Sequence, residues 1–183
     1  MQRVTLKDKT FVPYITSDKI LASVKVMAQK INADLTDDMP LFLVVLNGSF
    51  MFAADLLKEV TIPCEICFIK LASYHGTSST GTVTEMIGLT DEIKGRTVVV
   101  VEDIVDTGIT LEKLVTLLTK KEVKQIKVAS FLLKPDAYTK TLKIDYVGME
   151  IPNDFVVGYG LDYDGLGRNM KDIFVLDKNV DSK

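Results

Sequence analysis

The chain is poor in cysteine, in net basic charge and in long apolar runs, and each shortage closes off a class of function. Of 183 residues only two are cysteine, Cys64 and Cys67. Their C-x-x-C spacing would suit a redox pair or half of a zinc site. A redox pair belongs at a strand-to-helix turn, and a structural zinc needs a second ligand pair. Here the pair runs into residues 65–71, which read as a strand, and no second pair exists. Two reduced, inert thiols are expected, and with them a cytoplasmic protein. Lysine and arginine total 22 against 25 aspartates and glutamates, a net charge of -3. That balance gives no electrostatic footprint for nucleic acid. Phosphorylated small molecules stay open, because backbone donors and a metal ion can bind them on an acidic protein. No stretch approaches the ~18 consecutive apolar residues of a membrane span. Residues 1–10 carry charges and no apolar run, so a signal peptide is not expected. Repeats, low-complexity segments and linkers are also missing. The one histidine, His75, falls in a polar loop and is given no role.

What is present is ordinary globular material: 47% hydrophobic and 26% charged residues, enough for one domain with a real core. Residues 17–33 read as a helix, capped by Ser17 and Asp18, with Ile20, Leu21, Val24, Met27, Ala28 and Ile31 on one face. Residues 41–46 form a short continuous apolar run, the pattern of a strand buried on both faces. Asn47-Gly48-Ser49 breaks it, and residues 50–60 look helical. Residues 65–71 are the next strand. Residues 72–88, rich in Ser, Thr and Gly, read as a long loop with strand-like stretches at its end. The run 96–101 is the strongest strand signal, followed by a helix over 110–121. Further strands are expected at 125–133, 146–149 and 173–176. This alternation predicts an α/β fold with a mainly parallel central sheet flanked by helices. Ligands of such sheets bind beyond the carboxyl ends of the strands.

The central piece is residues 98–111. Four valines end at Glu102-Asp103; Ile104-Val105, Asp106 and Thr107-Gly108-Ile109-Thr110 follow, and then the helix. Gly108 allows backbone geometry that other residues resist. Successive N–H groups in such a turn make an anion-binding concavity, and the helix start adds its positive end. Thr107 and Thr110 add hydroxyl donors. A terminal phosphate fits there. The two carboxylates would repel it at close range, but a few ångströms away they can accept hydrogen bonds from sugar hydroxyls and, with Mg²⁺, help bind pyrophosphate. The bland alternative is a capped helix after a buried strand, with solvated acids at the strand end.

The complete string resembles the signature of type I phosphoribosyltransferases, which bind phosphoribosyl pyrophosphate. The resemblance implies that Glu102 and Asp103 approach the ribose hydroxyls and the metal's water shell, and that Asp106, Thr107, Gly108, Ile109 and Thr110 hold the 5′-phosphate. Three further segments point to the hypoxanthine branch of that family. Val45-Leu46-Asn47-Gly48-Ser49 resembles its pyrophosphate loop, which implies a cis peptide at Leu46–Asn47 and amide donors from Asn47 and Gly48. Many relatives carry Lys or Arg where this chain has Asn47, so the loop must rely on backbone donors and the metal. Lys134 stands where the family has a lysine that donates to the purine's exocyclic oxygen at position 6. A 6-amino group could not accept that bond, so hypoxanthine or guanine would be favoured over adenine. The segment 151–163, containing F-V-V-G-Y-G-L-D-Y, resembles the family's base-binding segment, with Arg168 five residues on. It implies that Phe155 stacks on the purine and that Val156 offers backbone groups to the base edge. Asp162 would lie near a metal and purine position 2, and Arg168 would meet pyrophosphate. Core packing would suit Phe155 and Val156 equally well. Ser73 and Tyr74 resemble the pair in the family's flexible lid, which implies pyrophosphate contacts.

The resemblance further implies one domain over residues 1–183, with a small base-binding hood contributed mainly by about 1–15 and 150–183, and a homodimer or homotetramer. The implied reaction is purine salvage. N9 of a 6-oxopurine attacks C1 of phosphoribosyl pyrophosphate, giving IMP or GMP and pyrophosphate, with Mg²⁺ as cofactor. Asp106 is the expected general base, and Glu102, Asp103 and Asp162 the residues expected about the metal. Two rivals stay open: a non-catalytic sensor of phosphoribosyl pyrophosphate, and a transferase of the same fold for another base such as xanthine.

Overall fold

The computed structural model describes residues 3–72, 84–87 and 93–178. Among these residues six strands form the central sheet, in the order β5-β4-β3-β6-β7-β8. They are β3 (Leu41–Leu46), β4 (Glu65–Ala72), β5 (Thr84–Ile87), β6 (Thr97–Val105), β7 (Gln125–Leu133) and β8 (Tyr146–Glu150). Five run parallel, and β5 joins the edge antiparallel to β4. Strands β1 (Val4–Leu6), β2 (Lys9–Ile15), β9 (Val156–Val157) and β10 (Ile173–Leu176) make a second, antiparallel sheet in the order β1-β2-β10-β9. The terminal segments thus build a small layer of their own, and the strand expected at 173–176 belongs to it.

Among the described residues three helices cover the parallel sheet: α1 (Ser17–Asp34), α2 (Phe50–Glu59) and α3 (Ile109–Lys120). The pleat sorts the strand residues between them. Phe42, Val44, Val99 and Val101 face α1 and α2, whereas Leu41, Leu43, Val45, Val98 and Val100 face α3. This two-sided burial is why β3 and β6 read as unbroken apolar runs. Both inner strands are essentially inaccessible at these positions.

Chain direction places the cleft. From β3 the chain crosses through α2 to β4 on one side; from β6 it crosses through α3 to β7 on the other. The sheet therefore reverses its winding between β3 and β6, and ligands of open α/β sheets bind outside such a point. The pairing registers agree. β3 and β6 are paired only as far as Val44 and Val101, while β6 continues on β7 to Val105.

Three expectations need correction. β6 runs on through Val105, so Glu102 and Asp103 lie within the strand rather than past its end. The strand persists there because β7 still pairs with it. The N-terminus of α1 is capped by neither Ser17 nor Asp18. Thr16 occupies the cap position without a side-chain bond, and the Ser17 N–H donates instead to Asp172 Oδ1 at 2.6 Å. Strands β1, β2 and β9 were not anticipated as strands. Cys64 and Cys67 are free thiols, the first just before β4 and the second within it.

Candidate active site

Two tight turns leave the sheet at the reversal point. After β6, residues 106–108 turn the chain into α3. Gly108 is the helix N-cap residue, at φ +81°, a conformation open to glycine at little cost. Its Cα is also crowded: an added Cβ would fall 2.5 Å from the Tyr138 ring and 2.9 Å from the Lys140 side chain. The segment beyond β7 thus supports the turn from below. Thr139 donates from its N–H (3.4 Å) and its hydroxyl (3.2 Å) to the Thr107 carbonyl, and Lys140 Nζ meets Glu112 of α3 at 2.7 Å. A pocket of about 100 Å³ is lined by Glu102 and by residues 104–111. Thr107, Ile109 and Thr110 face solvent around it. The N–H groups at the start of a twelve-residue helix and the Thr107 and Thr110 hydroxyls, which have no partner among the described residues, suit this pocket to an anion.

After β3, the peptide Leu46–Asn47 is cis, and residues 47–49 lead into α2. Ser49 is fully buried and donates to the Val45 carbonyl. Gly48 lies against β6 so closely that an added Cβ would stand 1.5 Å from Asp103 Oδ2. Any larger residue there would force the Asp103 carboxylate to move. The side chain of Asn47 is exposed.

The acids between the turns are perturbed. Burial, with the neighbouring Asp103 charge, pushes the Glu102 carboxyl well above its ordinary range. Burial likewise raises Asp103, to about 6. The Ile104 N–H, donating to Asp103 Oδ1 at 2.8 Å, and the Arg168 guanidinium work against that rise; Asp162 adds to it. Arg168 and Asp162 are therefore electrostatic neighbours of Asp103, although far from it in sequence.

These two come from the arm between β9 and β10. Arg168 Nη2 pairs with Asp162 Oδ1 at 2.7 Å, and Nη1 donates to the Gly160 carbonyl at 2.7 Å. The other Asp162 oxygen accepts the Gly165 N–H at 2.7 Å. Gly160, at φ +99°, rests on the first turn: an added Cβ would be 1.9 Å from the Gly48 carbonyl. A chain of close contacts thus runs from Asp103 to Gly48, Gly160, Arg168 and Asp162.

Lys134, just past β7, is buried and meets Asp106 Oδ2 at 2.9 Å. Asp106 is partly exposed at the head of the anion turn. Phe155 stands apart from this pair. It is 43% exposed and packs edge-on against Tyr163 (5.8 Å, 86°) and beside Phe11 (6.1 Å) in the terminal sheet. The Val156 side chain is core, and its backbone pairs with Val175. Core packing is therefore what the Val156 side chain does. Ser73, Tyr74 and His75 lie outside the described residues; of the expected loop, residues 84–87 form β5. The sequence reading gave no role to Gly160 or to residues 138–140. The G-Y-G pattern is visible, but nothing local reveals that Gly48 is its partner.

A family model for the phosphoribosyl transferase domain matches residues 15–164. Hypoxanthine-guanine phosphoribosyltransferase of Streptococcus pneumoniae is 38% identical over 91% of this chain and 93% of its own. The enzyme of that name from Mycobacterium tuberculosis is 39% identical over 91% of this chain and 86% of its own. A crystal structure of a hypoxanthine phosphoribosyltransferase from Staphylococcus aureus superposes with a TM-score of 0.86 at 35% identity, covering 94% of both chains.

Proposed function

This chain belongs to the phosphoribosyltransferase family, in its hypoxanthine-guanine branch, and from that premise we propose how its cleft works. The protein is an enzyme of purine salvage: it transfers a phosphoribosyl group from phosphoribosyl pyrophosphate to a purine base. A sensing-only role is not favoured, because the relatives over nearly its whole length are enzymes. The carrying observation is the turn after β3 lying on β6 at the sheet reversal, with Gly48 against Asp103 and the anion pocket farther along the same strand.

In our reading the 5′-phosphate sits in the pocket, held by the N–H groups of residues 106–110 and the Thr107 and Thr110 hydroxyls. Glu102 and Asp103 accept from the ribose hydroxyls. The pyrophosphate meets the amides of Asn47 and Gly48, together with Arg168. A guanidinium carries five N–H donors, so its two internal bonds leave others for phosphate oxygens. Ser73 and Tyr74 add lid contacts in this reading.

The acids suit Mg²⁺. Burial drives Glu102 and Asp103 toward protonation, and a bound cation would hold them as carboxylates. Among the described residues no three acidic, histidine or cysteine groups form a ready-made cage. Mg²⁺ is ordinarily held by one or two carboxylates plus substrate phosphates. Glu102, Asp103 and Asp162 are the residues we assign to it. When bound, the ion neutralises pyrophosphate charge and eases its departure.

The purine enters beside Phe155, which stacks on it, while Val156 offers backbone groups and Asp162 lies near position 2. Lys134 donates to O6. Asp106 takes the proton from N7 as N9 forms the bond to C1, and the C1–oxygen bond to pyrophosphate breaks. Substrate entry must therefore exchange the Asp106–Lys134 pair for contacts with the two edges of the base. Hypoxanthine is our assigned substrate, with guanine second, and the terminal sheet is our base-binding hood within one domain. We also assign the enzyme to the cytoplasm as a homodimer or homotetramer, following the family resemblance. Among the described residues no helix is long and apolar enough to cross a membrane.

A spectrophotometric assay with Mg²⁺, phosphoribosyl pyrophosphate and a panel of hypoxanthine, guanine, xanthine, adenine and uracil tests this. Turnover of 6-oxopurines with adenine left unused is expected. Adenine turned over as fast as hypoxanthine would overturn the Lys134 assignment, and no turnover of any base would overturn the reaction.

A further inference from the structure

Gly158, Tyr159 and Gly160 lie in succession at φ +99°, +51° and +99°. Close backbone contact accounts for the glycines: an added Cβ would stand 2.1 Å from the Asp172 carbonyl oxygen at Gly158 and 1.9 Å from that of Gly48 at Gly160. Tyr159 has a Cβ and yet shares the left-handed conformation, which is unfavourable for an L-residue. Glycine would relieve that cost, so the side chain itself must contribute something that offsets it.

Its contacts show what. Tyr159 is 3% exposed, and its ring meets Phe131 edge-on at 5.1 Å. Its hydroxyl donates to Asp55 Oδ2 at 2.9 Å. Asp55 belongs to α2, the helix that starts directly after residues 47–49, and its other oxygen is held by Lys58 at 2.9 Å. On the backbone side, the Tyr159 N–H donates to the Met170 carbonyl at 2.7 Å and the Gly160 N–H to the Arg168 carbonyl at 2.9 Å. The Gly160 carbonyl receives Arg168 Nη1. One side chain therefore links the helix behind the first turn to the backbone that seats Arg168. Among the described residues this linkage makes no hydrogen bond or ion pair to Asp106 or Lys134; it meets β7 only through the Phe131 ring, and the Lys134 N–H donates to the Val105 carbonyl at 3.0 Å.

We infer that Tyr159 is a positioning residue: through Asp55 it clamps Gly160 and Arg168 onto the Gly48 turn and preassembles the pyrophosphate half of the cleft, while the Asp106–Lys134 pair is held separately. This rests on the reading of the cleft as a phosphoribosyl pyrophosphate site. Arg168 and the Gly48 amide come from segments far apart in the chain, and both must be in place when the phosphates arrive. Holding them beforehand moves the ordering cost from binding to folding.

Tyr159→Phe tests the clamp while keeping the ring against Phe131. A hydrogen bond to a charged acceptor corresponds to roughly tenfold or more in an equilibrium constant. With Tyr159→Phe, KM for phosphoribosyl pyrophosphate should rise about 5- to 20-fold. Its calorimetric dissociation constant in Mg²⁺ should rise in parallel, while KM for hypoxanthine, whose Asp106 and Lys134 contacts lie outside the hydrogen-bonded linkage, rises by a smaller factor. Asp55→Asn keeps an acceptor oxygen without the charge and should shift the same two quantities in the same direction, by less. Equal rises in both KM values, or a lower Tm with unchanged phosphoribosyl pyrophosphate binding, would reduce Tyr159 to a packing residue and overturn the inference. Wild-type enzyme run alongside separates the two levels: if it neither binds nor consumes phosphoribosyl pyrophosphate, the reading of the cleft fails rather than the clamp.

Discussion

Asp106 and Lys134 hold one another at 2.9 Å, one at the head of the anion turn and the other just past β7. If Asp106 is the general base, Asp106→Asn should lower turnover with hypoxanthine by ~10²–10⁴-fold with little change in either KM. Steady-state kinetics decides, and a loss below about threefold would reassign the base. Lys134→Ala should affect hypoxanthine far more than adenine, because only the 6-oxo group accepts the ammonium proton. Equal losses with both bases would argue against an O6 contact. At this scale the acidic string was readable because Glu102 to Thr110 is contiguous: strand, acids, turn and helix start follow one another with no long-range partner needed. Gly48 was singled out for its amide. That a side chain there would collide with Asp103 was not legible, because the collision joins β3 to β6 through the fold.

Elements show a similar division. β3, β7 and β10 have the bounds read from their apolar runs. β2 escaped notice because its burial alternates poorly and Pro13 interrupts it. The α1 cap was misread because Asp172, from the other end of the chain, supplies the acceptor. Where element meets element, single substitutions should be costly. Gly160→Ala sets a Cβ against the Gly48 carbonyl at a left-handed residue, so a lower Tm and weaker phosphoribosyl pyrophosphate binding should appear together. Normal thermal melting and binding in that variant would mean that the β9–β10 arm is not in contact with the Gly48 turn. Asp145, just before β8, gives a pH-dependent case. Burial acts to raise its carboxyl, but the Val128 N–H and the Lys143 and Lys127 ammonium groups hold it below the ordinary range. A carboxyl depressed by folding stabilises the native state above its unfolded value, and that contribution disappears as pH falls through the folded value. Asp145→Asn should therefore lower stability at neutral pH and flatten the acid limb below about pH 4. Urea midpoints across that range read it out, and an unchanged acid slope would remove Asp145 as a contributor.

On the scale of the whole molecule the cleft joins three remote stretches: residues 47–49, 102–110 and 158–168. A ligand spanning them should stabilise the entire fold. At a hundredfold excess over its dissociation constant, phosphoribosyl pyrophosphate with Mg²⁺ should add about 2.7 kcal/mol. For a chain of this length that corresponds to roughly 5–10 °C in Tm, readable by scanning fluorimetry. Mg²⁺ alone serves as the control, and the absence of any further shift with the sugar would contradict the site. By itself the sequence determined what is local: where helices and parallel strands form, that Glu102 to Thr110 makes an acidic strand leading into an anion turn, and, through its resemblances, the chemistry to expect. Period and composition carry that information over short stretches. Only the tertiary structure decided which distant pieces meet: Gly48 on Asp103, Gly160 on Gly48, Lys134 on Asp106, Tyr159 on Asp55. Those contacts arise from the winding reversal between β3 and β6, from the pairing of β6 with β7 and from the terminal arm folding back over the cleft, and no local pattern of residues encodes an approach between segments so far apart in the chain.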